Sequence, residues 1–139
     1  MSQNSFNIFK VLTPKDETVI LSSSLSLLDT LKLFEQWKFA ILPLIAEDGE
    51  YIGTVSEGDL LRFAKDECEF SLANMVDKYV IEVPRYRSYK PVKASASFKE
   101  VFDLILEQNF VPVLDDRGKF IGIIKRKDVL LYTHPFEED

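Results

Sequence analysis

The sequence predicts an α+β fold made of two tandem repeats, each with the element order β-α-β-β-α, related by approximate two-fold symmetry. Three observations support this prediction. The landmarks Pro43, Gly49, Gly53 and Asp59 each have a counterpart 69 residues later. Each copy combines apolar runs, a turn signal and a helical pattern. Each half has only about 60–70 residues, a size at which a separate core is marginal, so the halves should pack together.

The elements of the first half follow in order along the chain. Residues 19–21 form a candidate first strand, and the serines at 22–24 offer a hydroxyl cap to a helix with apolar spacing from Leu27 to Phe34. Trp37 lies in the connection that follows, and its aromatic ring is interpreted as part of the core. Pro43 suits the beginning of a strand, Gly49 a hairpin turn, and a second helix follows Asp59.

The second half repeats this order. Residues 91–94 form its first strand, residues 95–97 its cap, and Phe98 to Ile105 its first helix. Its counterparts of the landmarks are Pro112, Gly118, Gly122 and Asp128. The connection from this helix to Val111 is two residues shorter than in the first half. We therefore predict two domains, at residues 8–68 and 72–133, joined by an acidic link.

Composition and charge exclude several classes of protein. No apolar run approaches the ~18 residues of a membrane span, and the N-terminus shows no secretory signal pattern. Cys68 is the one cysteine, which suits a reducing cytoplasm. The net charge of −6 argues against nucleic-acid binding by the whole surface. No metal-binding Cys/His cluster and no glycine-rich P-loop is present.

This ordered set of motifs, occurring twice over about residues 8–133, resembles a tandem CBS domain pair, or Bateman module. Its parts are a Leu-Pro or Val-Pro strand entry, a glycine turn, an apolar-Gly strand and an Asp that opens the last helix. The resemblance implies two related clefts between the repeats that bind adenosyl ligands such as AMP, ADP, ATP, S-adenosylmethionine or cyclic di-AMP. It also implies a flat homodimer and no catalytic activity.

The resemblance also implies which residues contact the ligand. Ser56 would face phosphate and Asp59 the ribose hydroxyls, while Asp128 repeats the aspartate and Lys125, beside Arg126, replaces the hydroxyl. Each cleft would borrow strand residues of the opposite half. These are Val92, Ala94, Phe110 and Val111 beside Asp59, and Leu21, Ser23, Ala40 and Ile41 beside Asp128. The chemistry is independently reasonable, because a carboxylate at a helix start can accept both hydroxyls of a vicinal diol.

Structural explanations compete with these roles. Ser56 and Asp59 also match a helix capping box. The basic run at residues 84–93 is either a solvated loop or a phosphate clamp with Tyr86 or Tyr89 as stacking surface. We interpret the chain as a stand-alone cytoplasmic regulator that binds an adenine nucleotide and signals to an unknown partner protein. An enzyme is disfavoured, because the sequence shows no nucleophile–base pair. The alternatives are a structural adaptor without ligand and, less favoured, an RNA-binding module.

Overall fold

The computed structural model describes residues 6–133, which divide into two compact units. We call Val19–Ser88 the central unit. The split unit combines the chain up to Thr18 with the chain from Tyr89 onward. Both units are mixtures of helix and sheet, so the predicted α+β class is confirmed. Residues 134–139, which form an acidic tail in the sequence, lie outside the described residues.

The central unit is a three-stranded sheet with helices that cover an apolar core. Its strands are β2 (Leu21–Ser22), β3 (Ile41–Ile45) and β4 (Tyr51–Ser56), and its helices are α1 (Leu27–Trp37), α2 (Glu57–Asp66) and α3 (Leu72–Met75). The strand order is β2-β3-β4, with β2 parallel and β4 antiparallel to β3. A short 3₁₀ helix, Val80–Glu82, follows α3. The core contains Leu21, Leu44, Val55 and Leu60, all almost completely buried.

The split unit contains the same arrangement and one more strand. Its strands are β1 (Leu12–Pro14), β5 (Val92–Lys93), β6 (Phe110–Leu114) and β7 (Phe120–Lys125), in the order β1-β7-β6-β5. Helices α4 (Phe98–Ile105) and α5 (Arg126–Thr133) pack on this sheet, and 3₁₀ helices at Ile8–Lys10 and Lys15–Glu17 flank β1. Strand β1 is antiparallel to β7, with Thr13 opposite Ile123.

The repeat predicted from the landmarks is present in both units. Gly53 and Gly122 lie in the equivalent strands β4 and β7. Pro43 and Pro112 lie in β3 and β6 as the third residue of each strand, not at its beginning as predicted, because the two residues before each proline also pair with the neighbouring strand. Gly49 and Gly118 adopt φ of 97° and 84° in the two hairpin turns, a conformation in which glycine carries no steric cost.

Three local predictions for the first half were wrong. Ser26, rather than the serines at 22–24, caps α1 by accepting the Asp29 N–H at 3.1 Å, because it directly precedes the first helical residue. The first strand is shorter than predicted and is shifted to Leu21–Ser22. Trp37 belongs to α1 and is 49% exposed, so it is not a core residue. In the second half, the predicted serine cap is confirmed at Ser97, which forms a capping box with Glu100.

Within residues 6–133, none of the helices combines the length and the apolar character that crossing a membrane requires.

Candidate functional site

Asp59 is the centre of a network of hydrogen bonds at the start of α2. Ser56 Oγ accepts the Asp59 N–H at 3.1 Å, and Asp59 Oδ2 accepts the Ser56 N–H at 3.0 Å. This is a complete capping box, which satisfies two donors at the helix start. The structural explanation of the Ser-x-x-Asp motif is therefore correct for this half.

The second carboxylate oxygen of Asp59 is also engaged. Asp59 Oδ1 accepts a hydrogen bond from Arg62 Nη2 at 2.7 Å and another from the Tyr86 backbone N–H at 3.0 Å. The Arg62 guanidinium lies 4.4 Å from the centre of the Tyr86 ring, in a cation–π contact. Asp59 is only 2% exposed. Its charge is thus compensated entirely within the central unit.

Residues 84–88, which we call the strap, run along β4 next to this network. Ser88 Oγ accepts the Thr54 N–H at 3.3 Å. A Cβ atom at Gly53 would overlap Ser88 Oγ and would lie 3.0 Å from Arg85 Nε, so the close approach of the strap requires glycine. Arg85 Nε is buried without a hydrogen-bond partner among the described residues. Pro84 and Tyr86 line a depression of about 220 Å³ beside Asp59.

Asp128, the counterpart of Asp59, has different surroundings. It lies in the first turn of α5 and is half-buried. Among residues 6–133, no hydrogen bond or ion pair engages its carboxylate. It lines a depression of about 350 Å³ together with Lys10, Val11 and Leu12. The two aspartates that the repeat makes equivalent are therefore chemically different, one enclosed by protein donors and one available.

The two predicted cations next to Asp128 also differ from each other. Lys125 ends β7 and is exposed. The Arg126 guanidinium donates from Nε to the Ile105 carbonyl at 3.0 Å and from Nη2 to the Gln108 carbonyl at 3.1 Å. These carbonyls are at the C-terminal end of α4, where a cation is favourable. Arg126 thus stabilises the split unit, and Lys125 is the more accessible charge.

Half of the eight strand residues predicted to line the clefts are buried in their own units. In the central unit, Leu21 is fully buried, Ile41 is half-buried and Ala40 is exposed. The Ala40 carbonyl accepts the Glu57 N–H, and the Ser23 N–H donates to the Ile45 carbonyl. In the split unit, Val92, Phe110 and Val111 are buried, and Ala94 pairs its N–H with the Leu114 carbonyl. Leu21 and Val111 belong to the apolar cores, so they can offer a ligand little beyond backbone groups.

Sequence reasoning missed two residues that shape these sites. Arg62 lies one helical turn after Asp59, at the i, i+3 spacing of a side-chain pair, and this spacing could have revealed it. Gln108 is 7% exposed, and its amide exchanges two hydrogen bonds with the Lys90 backbone, at 2.8 and 3.1 Å.

Tyr89, one of the two proposed stacking residues, packs edge-on against Phe110, with the ring centres 4.9 Å apart. Tyr86 is the accessible one, at 77% exposure.

The described residues offer no group of three His, Cys, Asp or Glu side chains that could hold a metal ion.

Comparison with known proteins places these features in a family. The CBS domain model matches residues 10–66 and 82–134. The uncharacterized protein MJ1426 of Methanocaldococcus jannaschii is 22% identical over 81% of this chain and 83% of its own length. The chloroplastic CBS domain-containing protein CBSX2 of Arabidopsis thaliana is 26% identical over 90% of this chain, which spans 62% of that protein.

Solved structures have the same fold. The crystal structure of CbpB in complex with c-di-AMP matches with a TM-score of 0.83 at 22% identity, covering 93% of this chain and 85% of that one. The crystal structure of CBSX2 in complex with AMP matches with a TM-score of 0.72 at 27% identity, covering 93% and 96%. The family model covers both repeats and most of the sequence, and the chain therefore belongs to the CBS domain family as a tandem pair.

Proposed function

We propose that this CBS pair is a regulatory protein that binds an adenine nucleotide, such as AMP, ADP, ATP or cyclic di-AMP. The observation that carries the proposal is the Asp128 carboxylate, which is half-buried, unengaged among the described residues, and next to a depression of about 350 Å³. Burying a charge without a partner is costly, so such a group suits a ligand that supplies hydrogen-bond donors. The 2′- and 3′-hydroxyls of a ribose are donors of this kind.

The surroundings of Asp128 suit the rest of a nucleotide. Lys10 lines the same depression, and Lys125 is exposed three residues before the aspartate. The N–H groups at the start of α5 add partial positive charge. This combination of one carboxylate, two cations and a helix start favours a ribose next to a phosphate. The AMP and c-di-AMP bound by CBSX2 and CbpB are ligands of this chemical class.

We propose a regulatory rather than a catalytic role. Asp59 and Asp128 belong to separate repeats, and the oxygens of Asp59 already accept three hydrogen bonds from the protein. Ligand binding would then act by favouring one conformation, which a partner protein detects. The cytoplasmic location predicted from the sequence is part of this proposal.

A thermal-shift series with AMP, ADP, ATP, cyclic di-AMP and GTP tests the proposal. A specific ligand at 100 times its dissociation constant adds about 2.7 kcal/mol of stability. We expect this stabilisation with adenine nucleotides, its loss in Asp128→Asn, and its retention in Asp116→Asn, a matched change at an exposed acid of the same unit. If no nucleotide stabilises the protein, the adaptor without ligand becomes the better explanation.

We also propose that a second copy of this chain binds the helical face of the central unit. A groove of about 640 Å³ along α1 and α2 is lined by apolar residues, among them Leu60, Leu61 and Phe70. Leu61 is 63% exposed and Phe70 59%. Phe70 is held there by left-handed backbone, with φ of 55°, a conformation that costs energy in a non-glycine residue.

The charges of this groove suit a self-association. Glu35, Glu57 and Lys38 all line it, so a two-fold related copy can bring lysine against glutamate on both sides. Sedimentation velocity of Leu61→Asp tests the dimer, with Leu106→Asp, an equally exposed leucine of the split unit, as control. We expect only the first variant to sediment as a monomer. Equal behaviour of both variants would contradict this face as the interface.

A further inference from the structure

We propose that the strap, residues 84–88, closes the Asp59 site, so that a ligand occupies the Asp128 site first and reaches Asp59 only when Tyr86 leaves that carboxylate. This inference rests on the proposed function, since it concerns the order in which the same class of ligand fills two sites. Arg62 and Tyr86 then determine whether the Asp59 site is open or closed.

The hydrogen bonds of Asp59 leave little room for a ribose. A carboxylate has about four lone-pair positions, and three of them are used by the Ser56 N–H, the Arg62 guanidinium and the Tyr86 N–H. At 2% exposure the carboxylate cannot be reached from solvent. A vicinal diol needs two acceptor positions, so at least one protein donor must withdraw. The Ser56 donor belongs to the helix cap, and the Tyr86 donor is the one on a loop.

The split unit shows the same location in an open form. Lys10, Val11 and Leu12 lie beside Asp128 as Pro84 and Tyr86 lie beside Asp59. However, the Lys10 and Val11 N–H groups donate to the Asn7 and Ile8 carbonyls at 2.8 and 3.1 Å, and none of the described residues donates to the Asp128 carboxylate. The depression is also larger, about 350 Å³ against 220 Å³.

The attachment of the strap explains why it can open. Strand β1 lies along β7 through a backbone ladder, with Thr13 opposite Ile123. At the equivalent position of the central unit, Thr54 donates instead to the side chain of Ser88, at 3.3 Å. The Arg62 ion pair is half exposed and therefore partly screened by solvent. A strap held by a few such contacts opens locally at lower cost than a paired strand.

Release of the strap would affect the connection between the two units as well as the Asp59 site. The strap ends at Ser88, where the central unit gives way to the split unit at Tyr89. Binding at Asp59 would thus free the chain at one of the two connections between the units, the other being at Thr18, while binding at Asp128 would leave the strap in place. The two sites would differ in what they signal as well as in affinity.

Hydrogen exchange of single amides tests the closed strap without any ligand. In the free protein, the Tyr86 amide should exchange more slowly than the Arg87 amide by roughly tenfold or more after correction for intrinsic rates, because a buried carboxylate accepts its hydrogen. Arg62→Leu should reduce this protection, and the matched change Arg87→Leu should not. Equal exchange of the two amides in the wild-type protein would overturn the inference.

Calorimetric titration with AMP and with cyclic di-AMP then tests the order of binding. We expect the wild-type protein to bind at one high-affinity site that Asp128→Asn removes. Arg62→Leu should strengthen binding at the second site, beside Asp59, roughly three- to tenfold, because the fraction of molecules with an open strap rises. Adding Asp59→Asn to the Arg62→Leu variant should abolish binding at that site. Two equal sites in a wild-type protein with a protected Tyr86 amide would refute only this inference. Absence of binding in every variant would refute the proposed function, and with it the inference that the strap closes the Asp59 site.

Discussion

Replacing Asp59 by alanine should cost far more stability than the same change at Asp128, although the repeat makes the two positions equivalent. A lost helix cap alone predicts about 1 kcal/mol. Asp59 also accepts the Tyr86 N–H, a partly buried bond to a charged group in the range of about 1.5–3 kcal/mol. The half-exposed Arg62 adds at most about 1 kcal/mol. Because these terms overlap, we expect Asp59→Ala to lower the free energy of unfolding by about 2–4 kcal/mol.

Asp128→Ala should change stability by less than about 0.5 kcal/mol, since no described residue bonds its carboxylate. Urea unfolding monitored by circular dichroism compares the two variants. With a slope of about 2 kcal/mol per molar urea, the middle of the usual range, Asp59→Ala should move the midpoint by about 1–2 M. Ser56→Ala isolates the cap at about 1 kcal/mol. Equal small losses for both aspartates would show that the Tyr86 and Arg62 contacts contribute nothing and would refute the reasoning.

Three further predictions concern the strands, the second hairpin and the ligand. Gly122→Ala should lower the free energy of unfolding by about 2–3 kcal/mol in the same urea assay, and by more than Gly53→Ala. The added Cβ at residue 122 would overlap a backbone carbonyl of β1, whereas the Cβ at residue 53 would meet the ends of side chains. The reverse order of the two losses would contradict this explanation. The Lys119 and Arg117 N–H groups hold the pKa of Asp115 below its ordinary value of 3.8. The stability that Asp115 contributes should therefore be complete above pH 3.8 and fall below it, and a difference between wild type and Asp115→Asn that persists undiminished at lower pH would be inconsistent with this. Lys125→Thr should weaken ATP more than AMP in calorimetric titrations, with a difference that shrinks as salt is added; equal, salt-independent losses would mean that Lys125 does not face the phosphates.

The repeat made the fold predictable, because its four landmarks recur at one spacing of 69 residues and therefore mark equivalent elements in both units. The paired hairpins follow from Gly49 and Gly118, whose positive φ is a local property of the turn. Strand β1 could not be predicted in this way. Its three residues carry a weak pattern, and they form a strand only because β7 offers an edge far along the chain.

The surroundings of Asp59 were predictable only in part. The spacing Ser56-x-x-Asp59 is compatible with both a cap and a ribose contact. The structure shows the cap, and the strap beside it could not be predicted from this spacing. Tyr86 contributes its backbone N–H to Asp59, a contact that side-chain chemistry does not reveal. Arg126 was predicted as a ligand cation, but the end of α4 offers its guanidinium two carbonyl groups.

The pairing of β1 with β7 also determines the order in which the protein can fold during synthesis. The central unit is continuous, so all of its contacts are available once Ser88 has been made. Strand β1 leaves the ribosome before the central unit, whereas its partner β7 appears only after that unit has been made. Closing so long a loop is slow, although its entropic cost grows only gradually with length. Strand β1 must therefore remain without its partner strand until β7 has been translated.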